Sequence, residues 1–200
     1  MKTEYPDTLS LAEARDRYFQ DNGFGPDGGY TSAWVDLKIG GLPTPFPNTA
    51  MRKRAVPFHD LHHIVTGYGT DFPGECEISA WEIGAGCKRE VVAWQLDLGM
   101  TFVGVFIAPR RTFAAFVRGR RGRSFYGQPY EPLLTRTVGE ARALTGADRP
   151  PDGATAADLG LFAASAVAGA IVGSLTALIF LPLAPFGVLA GHLAKRRAVA

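Results

Sequence analysis

The sequence predicts a mainly α protein: an antiparallel helical domain with a short extended segment near the N-terminus and an apolar C-terminal helical hairpin or span. Three observations carry this. Ser10-Leu11-Ala12-Glu13 and Thr137-Val138-Gly139-Glu140 have the hydroxyl-then-glutamate spacing of a capping box, in which two side chains satisfy free backbone N–H groups at a helix start. Val56, Leu61, Ile64 and Val65 share one helical face. From Leu159 to Gly191 no residue carries a formal charge. A chain of 200 residues then divides into a helical domain over 1–150 and a hydrophobic, membrane-associated tail over 151–200.

Taken in order, a first helix runs from the Ser10 cap to about Gln20, with Leu11, Ala14 and Tyr18 inward and Gly23 beyond its end. From Trp34 to Ile39, Val35, Leu37 and Ile39 alternate with Asp36 and Lys38, the period of a short strand or extended arm that Gly40-Gly41 ends. Pro43, Pro45 and Pro47 impose an extended loop. A helix follows, with Pro57 in its first turn and Gly67 at its stop. Pro73 opens the next, which packs through Ile78, Trp81 and Ile83. Glu90 to Ile107 predicts a long buried helix, with Gly99 or Gly104 as a break point. Thr112 to Arg118 is a further short helix, and the second capping box starts one that Gly146 ends. Phe102, Phe106, Phe113 and Phe116 fill a core in this reading; their other use is to line a groove for a long apolar ligand.

Lys and Arg (21) nearly balance Asp and Glu (19), so net charge selects no class of partner. Cys76 and Cys87 are the only cysteines and form no C-x-x-C pair, which indicates a reducing compartment without a disulfide framework. The first seven residues hold no apolar stretch and resemble neither a secretory signal nor an Arg-rich transit peptide. The abundance of Ala, Gly and Arg points to a bacterial source and a cytoplasmic front domain.

Three of the four histidines fall within five residues, in Phe58-His59-Asp60-Leu61-His62-His63. On a helix, His59 and His63 are i and i+4 and lie on one side, one turn apart. Asp60, three residues before His63, reaches the same point, so two imidazoles and a carboxylate from one helix can converge on one cation. Glu75 follows a loop near the start of the next helix and can close the set across a helical hairpin. Mixed nitrogen and oxygen donors suit zinc first, and iron(II), cobalt or manganese after it; the set is too rich in nitrogen for calcium or magnesium. The plain alternative is a polar helix face with solvated or core-satisfied histidines.

His59-Asp60-x-x-His63, then eleven residues, then Glu75, resembles the metal-binding signature of the coenzyme Q (ubiquinone) biosynthesis protein 4 family. The surroundings are similar too: Arg52-Lys53-Arg54 upstream, Gly67 after the histidines, and Gly74-Glu75 followed by Glu82. The resemblance covers roughly Thr8 to Gly146, with its specific core from Arg52 to Glu82. The tail after Pro151 and the additional His62 depart from it. It implies a divalent metal held by His59, Asp60, His63 and Glu75, with Asp60 as the candidate catalytic residue or as a group that orients a histidine. It implies a polyprenylated aromatic quinone precursor as ligand, removal of its ring carboxyl group with oxygenation at the same carbon, and assembly with other ubiquinone-biosynthesis proteins; separately, a homodimer is the expected oligomer. A non-catalytic lipid-binding scaffold is the second reading. A metal-dependent hydrolase is the third, weakened because the only other histidine, His192, lies in the tail.

Arg118-Gly119-Arg120-Arg121-Gly122-Arg123 reads as a solvated loop, or else as a contact for anionic headgroups. Nucleic acid is not an expected partner, since no recognition fold or aromatic platform accompanies the run. Leu159 to Leu181 is long enough to cross a hydrocarbon core of about 30 Å. Pro182 and Pro185 then separate it from Phe186 to Ala194, and Lys195-Arg196-Arg197 favour the cytoplasmic side. A hairpin or a single span follows, in contact with membrane lipid. The expected location is the cytoplasmic face of a bacterial inner membrane, or the matrix side of a mitochondrial one; an apolar helix pair docked on the domain is the soluble alternative.

Overall fold

The two capping boxes face one another across the fold in the computed structural model, which describes residues 4–149 except 36, 37, 40, 41, 44 and 45, then 153–180, and positions 182, 185, 186 and 189. Helix α1 (Leu11–Asn22) starts at Ser10, and α7 (Val138–Thr145) starts at Thr137. Leu11 N–H donates to Arg136 O and Val138 N–H to Leu9 O, both at 2.8 Å, so one short antiparallel bridge sets both helix starts side by side. Gly23 and Gly146 close these helices in the left-handed conformation that the sequence predicts for them.

The chain is mainly helical, as expected, and the extended segment is a two-part antiparallel arm. β1 (Trp34–Val35) pairs with β4 (Phe46–Pro47), and β2 (Lys38–Ile39) pairs with β3 (Leu42–Pro43). Pro43 and Pro47 of the predicted proline loop therefore lie in the return strands β3 and β4, and Pro45 and the Gly40-Gly41 terminator lie outside the described residues.

Helix α2 (Ala50–Thr66) starts earlier than its prolines suggest. Thr49 caps it by accepting from Arg52 N–H, which moves Pro57 from the predicted first turn into the helix interior. The missing N–H of Pro57 leaves one rung of the ladder unmade. Helix α3 (Phe72–Ala85) begins at the Asp71 cap with Pro73 in its first turn, as predicted. Helix α4 (Val91–Ile107) is continuous through both glycines, and α5 (Pro109–Arg120) follows directly. A short α6 (Tyr130–Leu134) has no counterpart in the sequence reading.

Helices α3 and α5 cross where glycine meets backbone. A Cβ on Gly119 would collide with Trp81 O, and one on Gly84 with Phe116 O. Two apolar clusters result. One joins α1, α2, α6 and α7 through Leu11, Leu61, Ile64, Phe125 and Val138. The other joins α3 and α5 through Ile78, Trp81 and Phe116.

Helix α8 (Ala156–Phe180) lies antiparallel on α4. Gly169 sits against Leu98 O, and Gln95 Nε2 donates to Thr176 Oγ1 at 3.0 Å. Its first turn is tied down: the buried Asp158 accepts from Arg121 at 2.6 Å and from Arg120 at 3.3 Å. Arg118 donates to Thr66 O at 2.9 Å and to Ala147 O. The basic run predicted as a solvated loop is thus the last turn of α5 and its exit, with these three arginines holding other elements. Helix α4 is not buried as predicted. It turns Asp97, Thr101 and Gly104 inward, whereas Phe106 is 71% exposed. Phe116 is core and Phe106 is not.

Helix α8 is apolar and long enough to cross a membrane by length and composition, and little of it is buried in the protein. Phe186 to Ala194 and Lys195-Arg196-Arg197 fall mostly or wholly outside the described residues.

Candidate metal centre

Helices α2 and α3 form the hairpin the histidines require. Gly67 ends α2 in the left-handed conformation, and the chain turns back within five residues to the Asp71 cap. Gly74 makes the return tight, because a Cβ there would meet Gly69 O and the Asp71 carboxylate. Glu75, the next residue, then faces α2.

His59 Nε2 and His63 Nε2 stand 3.2 Å apart. Glu75 addresses both, Oε2 at 3.5 Å from His59 Nε2 and Oε1 at 3.5 Å from His63 Nε2. Donors around one ion at 2.0–2.2 Å are spaced by roughly these distances. The tautomers follow from the outer partners. His63 Nδ1–H donates to Tyr68 O at 3.0 Å; a carbonyl only accepts, so the His63 Nε2 lone pair faces His59. His59 Nδ1 lies 3.1 Å from Glu82 Oε1, which likewise accepts. Two nitrogen lone pairs at such a separation repel unless a cation lies between them, either a proton or a metal ion.

The electrostatics favour a cation there. Burial works against a charge on His59, but Glu82 and Glu75 outweigh it and raise the His59 pKa well above its ordinary value. Burial lowers the His63 pKa. For Glu75, burial opposes the charge, and His59 and His63 overcome it to hold the carboxyl below its usual range. The site has an open side: the His59 and Glu75 side chains are 23% and 33% exposed, whereas His63 is enclosed at 1%.

Of the four predicted ligands, His59, His63 and Glu75 place donor atoms within 4.8 Å of one another. Asp60 is outside that group. Its Oδ2 accepts from Tyr30 O–H at 2.6 Å, and Tyr18 also hydrogen-bonds to it. Burial pushes the Asp60 carboxyl up to about 6, against the pull of His59 and Tyr30. The other predicted neighbours are also engaged. Arg52 donates to Asn48 Oδ1 at 3.1 Å and lies over the Phe46 ring, and Lys53 donates to Thr31 O. The upstream basic residues thus lie in the opening turns of α2 and hold the extended arm against it.

Sequence reasoning named Glu82 and His62 only as neighbours of the signature, without a role, and did not connect Asp97, Cys87 or Tyr126 to the site. His62, the extra histidine, stacks on Phe125 at 5.2 Å. It accepts from Phe125 N–H at 2.8 Å through Nε2 and donates through Nδ1 to Glu82 Oε1 at 2.5 Å. Tyr126 O–H donates to Glu82 Oε2 at 3.1 Å. Asp97 shares a hydrogen bond with Glu82 and accepts from the Cys87 thiol at 3.4 Å. Burial raises the Asp97 pKa well above its ordinary value, and the neighbouring Glu82 adds to the rise. The signal in the sequence was the seven-residue step from Glu75 to Glu82, which puts both acids on one face of α3 two turns apart.

No family model matches this chain, and neither a curated protein nor a solved structure is significantly similar to it. The quinone-pathway resemblance therefore rests on the signature residues from Arg52 to Glu82.

Proposed function

We propose that this chain is a metal-dependent, membrane-associated protein of ubiquinone biosynthesis that acts on the head group of a polyprenylated aromatic precursor. The observation that carries metal binding is the 3.2 Å approach of His59 Nε2 and His63 Nε2 with Glu75 at 3.5 Å from each. Two histidines and one carboxylate with an exposed side match the three-ligand sites of catalytic zinc and the facial triad of iron(II) oxygenases. A divalent ion there would supply an open position that polarises a bound head group or oxygen. His59, His63 and Glu75 would hold it. Asp60, anchored by Tyr30 beside His59, would exchange a proton with the ligand from outside the coordination set. The membrane part of the reading is supported by the apolar, outward-facing α8. The pathway rests on the signature alone.

The test is elemental analysis of purified protein, followed by incubation with a prenylated hydroxybenzoate and oxygen, with quinone levels measured in a deletion strain. Bound metal and a decarboxylated, oxygenated product are expected. Absence of product together with normal quinone removes the enzymatic reading. The scaffold reading is favoured only if His63→Ala lowers thermal stability as much as function.

A further inference from the structure

Beneath the three candidate ligands lies a second set of donor groups. His59, Glu82 and Asp97 also place ligand atoms within 4.8 Å of one another, with the Cys87 thiol 3.4 Å from Asp97. By composition alone this is a second cation site. The hydrogen bonds point elsewhere. Glu82 Oε1 already accepts from His62 Nδ1–H and faces His59 Nδ1, Oε2 already accepts from Tyr126 O–H, and Asp97 bonds to the same carboxylate. His62 cannot turn to another task, because its other nitrogen is held by Phe125 N–H. A carboxylate with about four lone-pair positions meets four partners here, so none of its oxygens is left for an ion.

We propose that Glu82 is the positioning residue of the metal centre: it holds the proton of His59 on Nδ1 and thereby aims Nε2 at the point shared with His63 and Glu75. This rests on the metal reading above and adds the group that sets the ligand's tautomer.

The geometry supports a dedicated role. Glu75 and Glu82 leave the same face of α3 two turns apart, and the His59 ring lies between them with one nitrogen toward each. Glu75 is one-third exposed and Glu82 fully enclosed, so the outer acid can share an ion with solvent or ligand and the inner one cannot. His63 obtains the same service from a backbone oxygen, Tyr68 O. Both imidazoles are therefore preset with Nε2 free, one by a carbonyl that mutation cannot remove and one by a side chain that it can. Partners of this kind fix ring orientation and raise ligand basicity, and their removal typically weakens metal binding by about 10–100-fold.

The test uses the full-length protein and zinc as the probe. Long-range nitrogen–proton NMR of the wild-type histidines, with and without zinc, should show a proton on His59 Nδ1 in both states, with any proton on Nε2 lost when zinc binds. Zinc titrated against a competing chelator should bind at one ion per chain, and Glu82→Gln should weaken it by about 10–100-fold in the folded fraction. Cobalt substitution should give no thiolate charge-transfer band. A zinc-bound His59 that carries no proton on Nδ1 overturns the proposal, as does a folded Glu82→Gln protein with unchanged affinity. Two ions per chain with a cobalt–thiolate band overturns it in favour of a second site at Glu82, Asp97 and Cys87. If Glu82→Gln does not fold, the wild-type NMR decides alone. A wild-type chain that binds no zinc or cobalt instead removes the metal reading, a result distinct from any of these.

Discussion

The α2–α3 hairpin and the α4–α8 pair invert the usual rule in opposite ways. The hairpin draws polar groups inward: Asp60, His62, His63 and Glu82 are all buried. The α4–α8 pair turns large apolar groups outward, with Phe106 71%, Leu178 73% and Val167 62% exposed. Burying a polar group is unfavourable unless it is hydrogen-bonded, and a wide exposed apolar surface marks a partner or a membrane. The first departure is resolved inside the molecule, by Tyr30 on Asp60, by Tyr68 O on His63 and by the network that joins His62 to Glu82. The second is left uncovered by the described residues. A metal reading is thus testable on the isolated chain, and a membrane reading is not.

The sharpest break of this contrast is His63→Ala. Removing a ligand should exceed the effect of removing its supporting group, so zinc affinity should fall by more than about 100-fold. Chelator competition measures it. Calorimetry on the metal-free protein should show a smaller change in the thermal transition than the change in affinity implies.

On the other side, Ile171→Lys places a charge on the exposed face of α8. A lysine at the centre of a bilayer span costs about 2.5–3.5 kcal/mol, or roughly a hundredfold in partitioning. Carbonate-washed membranes should lose the variant, while zinc binding stays at the wild-type level. Retention in the membrane would remove α8 as the anchor.

The pH dependence of the metal-free protein sharpens the hairpin side. Burial opposes the charge on Glu82, but His59 and His62 outweigh it, so its folded pKa lies well below 4.5. That contribution to stability is present above pH 4.5 and lost as pH falls through the folded value. The His59 pKa is raised above 6.5, so its contribution is present below pH 6.5 and lost as pH rises through the folded value. Thermal transitions should therefore peak between these limits without metal. With zinc the peak should move to higher pH, because the ion replaces the proton on His59 Nε2.

The smallest effect expected is that of Asp158→Asn. It removes the charge that meets Arg120 and Arg121 at the first turn of α8. Hydrogen exchange should quicken in the first turns of α8 and remain unchanged around Trp81.

Local chemistry made much of this legible in advance. The capping boxes at Ser10 and Thr137 and the stops at Gly23, Gly67 and Gly146 are short-range signals, and they set helix ends to within a few residues. The i,i+4 pair of His59 and His63 is equally local. What depends on long-range packing was not legible. Pro57 suggested a helix start, but the Thr49 cap and the contacts of Arg52 and Lys53 with the extended arm extend the helix back to Ala50. The pull of Tyr30 on Asp60 spans thirty positions, and no spacing rule reports it. The inner network joins His62, Glu82, Asp97 and Tyr126 from three helices and a loop, so only the assembled fold brings them together.

Helix α4 is the partition between these two environments. One of its faces carries Asp97 toward Glu82; another lies under α8. Gly104 against Thr112 and Cys76, and Leu98 O against Gly169, fix its rotation. A single residue inserted ahead of Asp97 would swing that carboxyl by about 100° around the axis, toward the oily side. Exchanging one apolar residue for another on the outer greasy surface leaves that carboxyl where it is; shifting the phase of this one helix does not.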